Sequence, residues 1–249
     1  MATLTALKAA TRDAWDHSAA GWNEHTPQIR AWLHAATQAM LDMAAIGPGA
    51  RVLDVAAGAG EQTLAIAERV GPQGHVLATD LSPAILALAR DNARRAGHTQ
   101  VDTRVADGED LLVEDASFDA AVCRLGLMLF PEPARALRGM HKALRPGGGV
   151  CTLVFGRPQH NPCVTTVMRV ALEHAGLPPR DPSTPGSLLS LGQPGQLDGL
   201  FRAAGFRDVA STWIDAPFRM PTLQHYLAFV SSSASPVQQI LGRLTPAAA

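Results

Sequence analysis

Between residues 51 and 155 the chain alternates short apolar runs with stretches of helical periodicity, and few folds accept that pattern. The runs at 51–55, 75–79, 101–105, 118–123 and 150–155 suit buried strands, being too short to be amphipathic helices. Between them, 62–70 is helical. A second helix opens at Ser82-Pro83, carries Ile85, Leu88, Ala89 and Ala93, and stops at Gly97; a third, 133–144, bears a stripe of Leu137, Met140, His141 and Leu144. Serine accepts a hydrogen bond from the first free amides, proline is preorganised for the first turn, and glycine suits the position just past a helix end. Arg145-Pro146-Gly147-Gly148 is expected to break the third helix before the fifth strand. Alternation with short connections predicts parallel strands covered on both faces. Right-handed crossovers then make the sheet doubly wound.

The flanks read differently. Residues 1–46 hold Trp15, Trp22 and Trp32, show helical spacing through Ile29, Leu33, Ala36, Met40 and Met43, and run into the breaker Gly47-Pro48-Gly49. They are expected to form helices closing over the 47–155 core. Residues 156–195 are rich in Pro, Gly and Ser around one helix at 163–175, an insertion on the substrate side. The 196–249 segment supplies a helix at 196–204, closed by Gly205, and two edge strands at 206–214 and 218–220. The chain 1–249 is thus expected to be a single domain.

Several function classes are disfavoured. A net charge of −1 with no run of Lys or Arg argues against a nucleic-acid partner. Cys123, Cys151 and Cys163 lack paired spacing, so neither a disulfide framework nor a metal site is expected. No cationic-then-apolar leader and no apolar run of membrane-spanning length is present, which predicts a cytoplasmic protein.

Ligands of open parallel sheets bind beyond the carboxyl ends of the strands. The first strand ends in Asp54-Val55-Ala56-Ala57-Gly58-Ala59-Gly60, whose small side chains let a ligand lie on the backbone where the next helix begins, at Gln62. The second ends in Asp80-Leu81, placed for a carboxylate to accept both hydroxyls of a ribose. The third ends in Ala106-Asp107-Gly108, placed to accept from an adenine amino group. An acid at each of three adjacent strand ends describes a nucleoside cradle. A dinucleotide fingerprint is incomplete, because Thr63 stands where its third glycine belongs. Asp54 and Glu61 on either side of the loop would repel a pyrophosphate but tolerate an ammonium and a sulfonium. The electrostatics therefore favour S-adenosylmethionine (SAM) over NAD.

In these motifs, with Ser117-Phe118-Asp119-Ala120-Ala121-Val122-Cys123-Arg124 and Ala143-Leu144-Arg145-Pro146-Gly147-Gly148, the chain resembles the class I SAM-dependent methyltransferases. The likeness is to the group related to ubiquinone and menaquinone biosynthesis. It implies a Rossmann-like sheet of seven strands, mostly parallel, with the last antiparallel. It also implies that the loop from Asp54 through Ala56, Gly58 and Gly60 holds the methionine moiety and Asp80 the ribose. Leu81 stacks on adenine, Asp107 with Gly108 reads its amino edge, and Cys123-Arg124 lies beneath the methionine end. Ala56 stands where the family has a glycine, and its methyl is tolerated if the backbone there has negative φ.

The acceptor is expected to be a small apolar or aromatic molecule. The quinone C-methyltransferases carry an Arg-Asn pair after the fourth strand, whereas 125–130 here is wholly apolar, with Met128 at the aligned position, which argues against quinone-ring C-methylation of that kind. His160, following the fifth strand, and His17, in the N-terminal helix, are the candidate bases; His25 and His141 are weaker ones. Two rival readings remain at this level, a non-catalytic SAM-binding partner protein and an NAD(P)-dependent oxidoreductase.

Overall fold

The computed structural model describes residues 4–179, 181–233, 237, 238 and 240. Helices α1 (Leu4–Glu24) and α2 (Thr26–Met43) lead into strand β1 (Arg51–Val55). The alternation continues through α3 (Glu61–Val70), β2 (His75–Asp80), α4 (Pro83–Arg95), β3 (Val101–Val105), β4 (Phe118–Arg124), α5 (Pro133–Ala143) and β5 (Leu144–Leu153). Helix α6 (Pro162–His174) follows β5, and α7 (Gln196–Ala203) and α8 (Leu223–Ser233) come last. The parts of the 196–249 reading that fall on 234–236, 239 and 241–249 lie outside the described residues.

The strands pair in the order β3-β2-β1-β4-β5, all parallel. The sheet reverses its winding at β1 and β4, so the crevice between their tips is the place this topology reserves for a ligand. Side chains along β1 alternate between two cores: Val52 falls in one with Met40, Leu41 and Ile66 from α2 and α3, and Leu53 in the other with Leu137, Met140 and Phe201 from α5 and α7. Burial on both faces explains why the strands read as unbroken apolar runs.

Local chemistry sets the helix ends as read. Ser82 Oγ accepts from Ile85 N at 3.1 Å, Pro83 opens α4, and Gly97 at φ +78° ends it with His98 N donating to Ala93 O. Arg94 and Arg95 in the last turn face the negative end of the helix dipole.

Two expectations are corrected. Among the described residues no strand forms at 206–214 or 218–220, and the sheet has five strands with none antiparallel. Asp208 takes positive φ, Pro217 has no amide to donate, and the carbonyl of Ala216 is claimed by Trp32 Nε1 at 2.8 Å. The segment instead packs irregularly, with Phe206 and Val209 in one core and Ala216 and Phe218 in another. Second, the Arg145-Pro146-Gly147-Gly148 break lies inside β5 as an irregularity: Phe118 pairs Leu144 while Ala120 pairs Gly149. The extra residues bulge out of the ladder where proline and glycine are tolerated.

No helix among the described residues is long and apolar enough to cross a membrane, and none of their His, Cys, Asp and Glu side chains cluster to hold a metal.

Candidate active site

The tips of β1, β2 and β3 come together, with Ala57 N donating to Thr79 O and Ala106 N to Asp80 O, both at 2.9 Å. After β1 the chain turns through Gly58 at φ +58° and Gly60 at φ +86°, the residue preceding α3. Asp80 reaches across: Oδ2 accepts from Gly58 N at 2.9 Å and Oδ1 from Ser82 N at 3.0 Å. Burial pushes its carboxyl up, which the backbone donors partly offset. Each oxygen keeps a lone pair, and Asp80 faces the cavity.

That cavity, about 210 Å³, runs from the strand tips beneath α1 to the space under α6 and α8. Ala56, Gly58, Gln62, Asp80, Leu81, Ala106, Asp107, Gly108 and Arg124 line it. Asp54, Gly60 and Cys123 stand outside the lining, as do His17 and His160. Asp54 is fully buried behind the loop, where its carboxylate accepts from Thr63 Oγ1 at 2.6 Å and Gln62 Nε2 at 3.3 Å. It braces the loop against α3. Burial pushes its carboxyl up to about 6, and the same cause lifts the Cys123 thiol to about 12, so that cysteine stays neutral.

A carboxylate raised from the ordinary 3.8 to about 6 binds more protons folded than unfolded, so its contribution to stability is lost as pH rises between about 4 and 6. The expected loss is about 3 kcal/mol across that window. Asp80 adds to the same slope. Denaturant titrations at half-unit pH steps should show a shallower fall for Asp54→Asn than for the parent; an identical slope would show that Asp54 ionises freely in the folded chain.

Ala56 departs from expectation, since its φ is +56° and not negative. An L-residue there costs about 1 kcal/mol. The neighbouring Gly126 accommodates the methyl: a β-carbon on Gly126 would stand 2.5 Å from Ala56 Cβ and 2.9 Å from Cys123 Sγ. Gly126→Ala is therefore expected to cost about 1–3 kcal/mol by overpacking. Ala56→Gly in the same chain should restore part of it, leaving the Cys123 contact. A double-mutant cycle by thermal melting reads the coupling, and strict additivity would refute it.

The electrostatics around the loop also differ from the simple count of acids. Glu61 is not a free negative charge: Arg124 Nη1 donates to its Oε2, Arg30 Nε to its Oε1 at 3.1 Å, and Arg124 also to Thr37 Oγ1 at 2.8 Å. With Glu61 paired to two arginines and Asp54 turned away from the cavity onto Thr63 and Gln62, repulsion of a pyrophosphate is weaker than the sequence implied, and it no longer chooses between cofactors. At β3, Asp107 accepts from Glu109 N at 2.9 Å and from Lys8 of α1 at 2.6 Å, and Lys8 also pairs with the buried Glu109. No sequence pattern marks Lys8, which acts across nearly a hundred residues.

The far end of the cavity is aromatic. Trp32 lies near-parallel to Phe155 with centroids 5.9 Å apart, and meets Phe218 edge-on at 4.8 Å. Phe218 in turn packs on Tyr226 and Phe229. These residues come from α2, the β5 exit, the irregular 206–220 segment and α8, so only the folded chain brings them together.

Residues 52–148 match a family described as a methyltransferase domain. The chain is similar to the 2-phytyl-1,4-naphtoquinone methyltransferase of Synechococcus elongatus, at 32% identity over 171 residues, 68% of this chain and 73% of that one. The chain belongs to the SAM-dependent methyltransferases. Similarity to the demethylmenaquinone methyltransferase of Clavibacter sepedonicus is 36% over 127 residues, 51% of this chain and 48% of that enzyme. The chain thus spans about half the length of some curated relatives it matches. The solved YcgJ protein of Bacillus subtilis shares the fold, with a TM-score of 0.59 at 21% identity, covering 86% of each chain.

The strand tips of this methyltransferase suit an adenosyl group. Asp80 offers lone pairs for a diol, and Leu81 gives an apolar surface beside it. A β-carbon on Gly108 would stand 2.4 Å from the Phe130 ring, so glycine lets that ring close on the strand tip. Trp22 Nε1 lies over Gly58, 3.5 Å from where a β-carbon would be.

Proposed function

We propose that this methyltransferase transfers a methyl group to a small aromatic acceptor bound in the chamber walled by Trp32, Phe155, Phe218, Tyr226 and Phe229. The single observation that carries this reading is the continuity of that aromatic chamber with the acid-lined strand tips. Asp80 would hold the ribose hydroxyls, Leu81 and Gly108 the adenine, and the 56–58 backbone with Arg124 the methionine end. When bound, SAM supplies an electrophilic methyl on a positively charged sulfur. The protein's contribution is alignment: the glycine turn and the Glu61–Arg124 pair fix one partner, and the aromatic wall fixes the other. The names of the relatives point to quinone-related rings, which match the wall in flatness and polarity.

Proton handling follows from the lining. Among the described residues, the aromatic end presents neither a carboxylate nor an imidazole. His160 and His17 lie outside it and are assigned no part in proton transfer. An acceptor that ionises readily, or that loses its proton to solvent after attack, needs no base from the protein.

The test is a transfer assay with radiolabelled SAM against quinols, phenols, thiols and amines. Label is expected in aromatic acceptors. Tight SAM binding with no transfer to any acceptor would replace this reading with a non-catalytic SAM-binding protein.

A further inference from the structure

We infer that Tyr226 is a specificity-determining residue that admits the acceptor through a hydroxyl group and discriminates against the same ring carrying only carbonyl or ether oxygens. The inference rests on the acceptor chamber proposed above and adds the polarity of its one phenol. Tyr226 is the only tyrosine of the chain. It lies half-buried on the inner face of α8, lining the cavity. Its hydroxyl donates to the carbonyl oxygen of Cys163, in the first turn of α6, at 2.8 Å. A phenol has one proton and two lone pairs. With the proton committed to α6, Tyr226 offers a ligand only lone pairs.

The neighbouring polar groups offer no strong donor. Trp32 Nε1 spends its hydrogen on Ala216 O at 2.8 Å. Ser232 Oγ donates to Ala228 O at 2.7 Å, which leaves Ser233 Oγ to donate to Ser232 Oγ at 3.3 Å, and the Cys163 thiol, which burial keeps neutral, is a weak donor. Trp22 packs on Phe229 with centroids 6.2 Å apart, but its Nε1 lies over Gly58 at the strand tips. The aromatic end is therefore an apolar box whose strongest polar point, the Tyr226 oxygen, only accepts. A ligand hydroxyl can donate there, whereas a carbonyl or ether oxygen would bring lone pair against lone pair. A buried site built to bond a hydroxyl rejects the analogue that lacks it, because the protein's own group is then left unpaired. Tyr226 acts by orientation and selection; it touches the acceptor and donates no proton to it.

The experiment compares 2-naphthol with 2-methoxynaphthalene, the same skeleton with its hydroxyl capped. Each is titrated by tryptophan fluorescence into the full chain saturated with S-adenosylhomocysteine. The naphthol is expected to bind about five- to tenfold more tightly, the size of one buried neutral hydrogen bond. In Tyr226→Phe the ratio should collapse to about one, with the affinity of the ether nearly unchanged and the melting temperature lower by about 1–6 °C, the loss of the bond to Cys163. A merely structural role for Tyr226 would weaken both ligands together, and that result overturns the inference. Equal binding to the parent chain, or a preference that survives in Tyr226→Phe, overturns it too while leaving the aromatic chamber standing. If neither ligand binds the parent, the inference and the acceptor reading fall together.

Discussion

Replacing Asp80 with alanine is expected to weaken SAM binding by about two orders of magnitude or more. Hydrogen bonds to a charged group contribute about 1.5–3 kcal/mol each, and a ribose diol makes two. Every 1.4 kcal/mol is tenfold in affinity. The carboxylate also receives Gly58 N and Ser82 N, so the alanine variant frees the glycine turn as well as emptying the ribose contact. Asp80→Asn separates these effects: its remaining carbonyl keeps one backbone partner and one diol partner, and an intermediate loss is expected. Calorimetric titration with SAM reads both variants. An unchanged dissociation constant for Asp80→Ala would move the ribose elsewhere and undo the cofactor placement.

Arg124→Met should produce the largest loss of stability, about 3–5 kcal/mol, the usual result of orphaning a buried charge. Arg124 and Glu61 side chains are only 4% and 8% exposed, and Arg124 additionally binds Thr37 of α2. The remaining partner of Glu61, Arg30, is half exposed and offsets little. For a chain of this size the expected fall in melting temperature is roughly 6–20 °C. Removing both charges in Arg124→Met/Glu61→Leu should recover much of it, since no buried carboxylate is then left alone. A single variant that melts like the parent would show that water reaches Glu61.

Much of the cofactor end was legible because it is built locally. A short apolar run, a loop of small residues and a capped helix are decided by neighbours in sequence, and α4 began and ended where Ser82, Pro83 and Gly97 required. The orientation of Asp54 was not legible, because a strand-end acid can point into the crevice or back into the sheet. Here Thr63 and Gln62, in the first turn of α3, pull it back. The sign of φ at Ala56 likewise depends on the space left by Gly126, seventy residues on. The 206–220 segment misled for the opposite reason: its apolar spacing suits a strand, but the backbone partner it would need is replaced by the indole of Trp32. Lys8 and the aromatic wall depend on long-range closure that no local pattern encodes.

The bond from Trp32 to Ala216 joins positions 184 residues apart, and it is the seam along which the chamber is sewn. Residues 216–220 belong neither to the pleated scaffold nor to the core beneath β1, so changes there alter the room's width while leaving the packing under the strand tips in place. Descendants of one ancestral chain could thus exchange one guest for another by relining a pocket at the periphery while inheriting the grip intact.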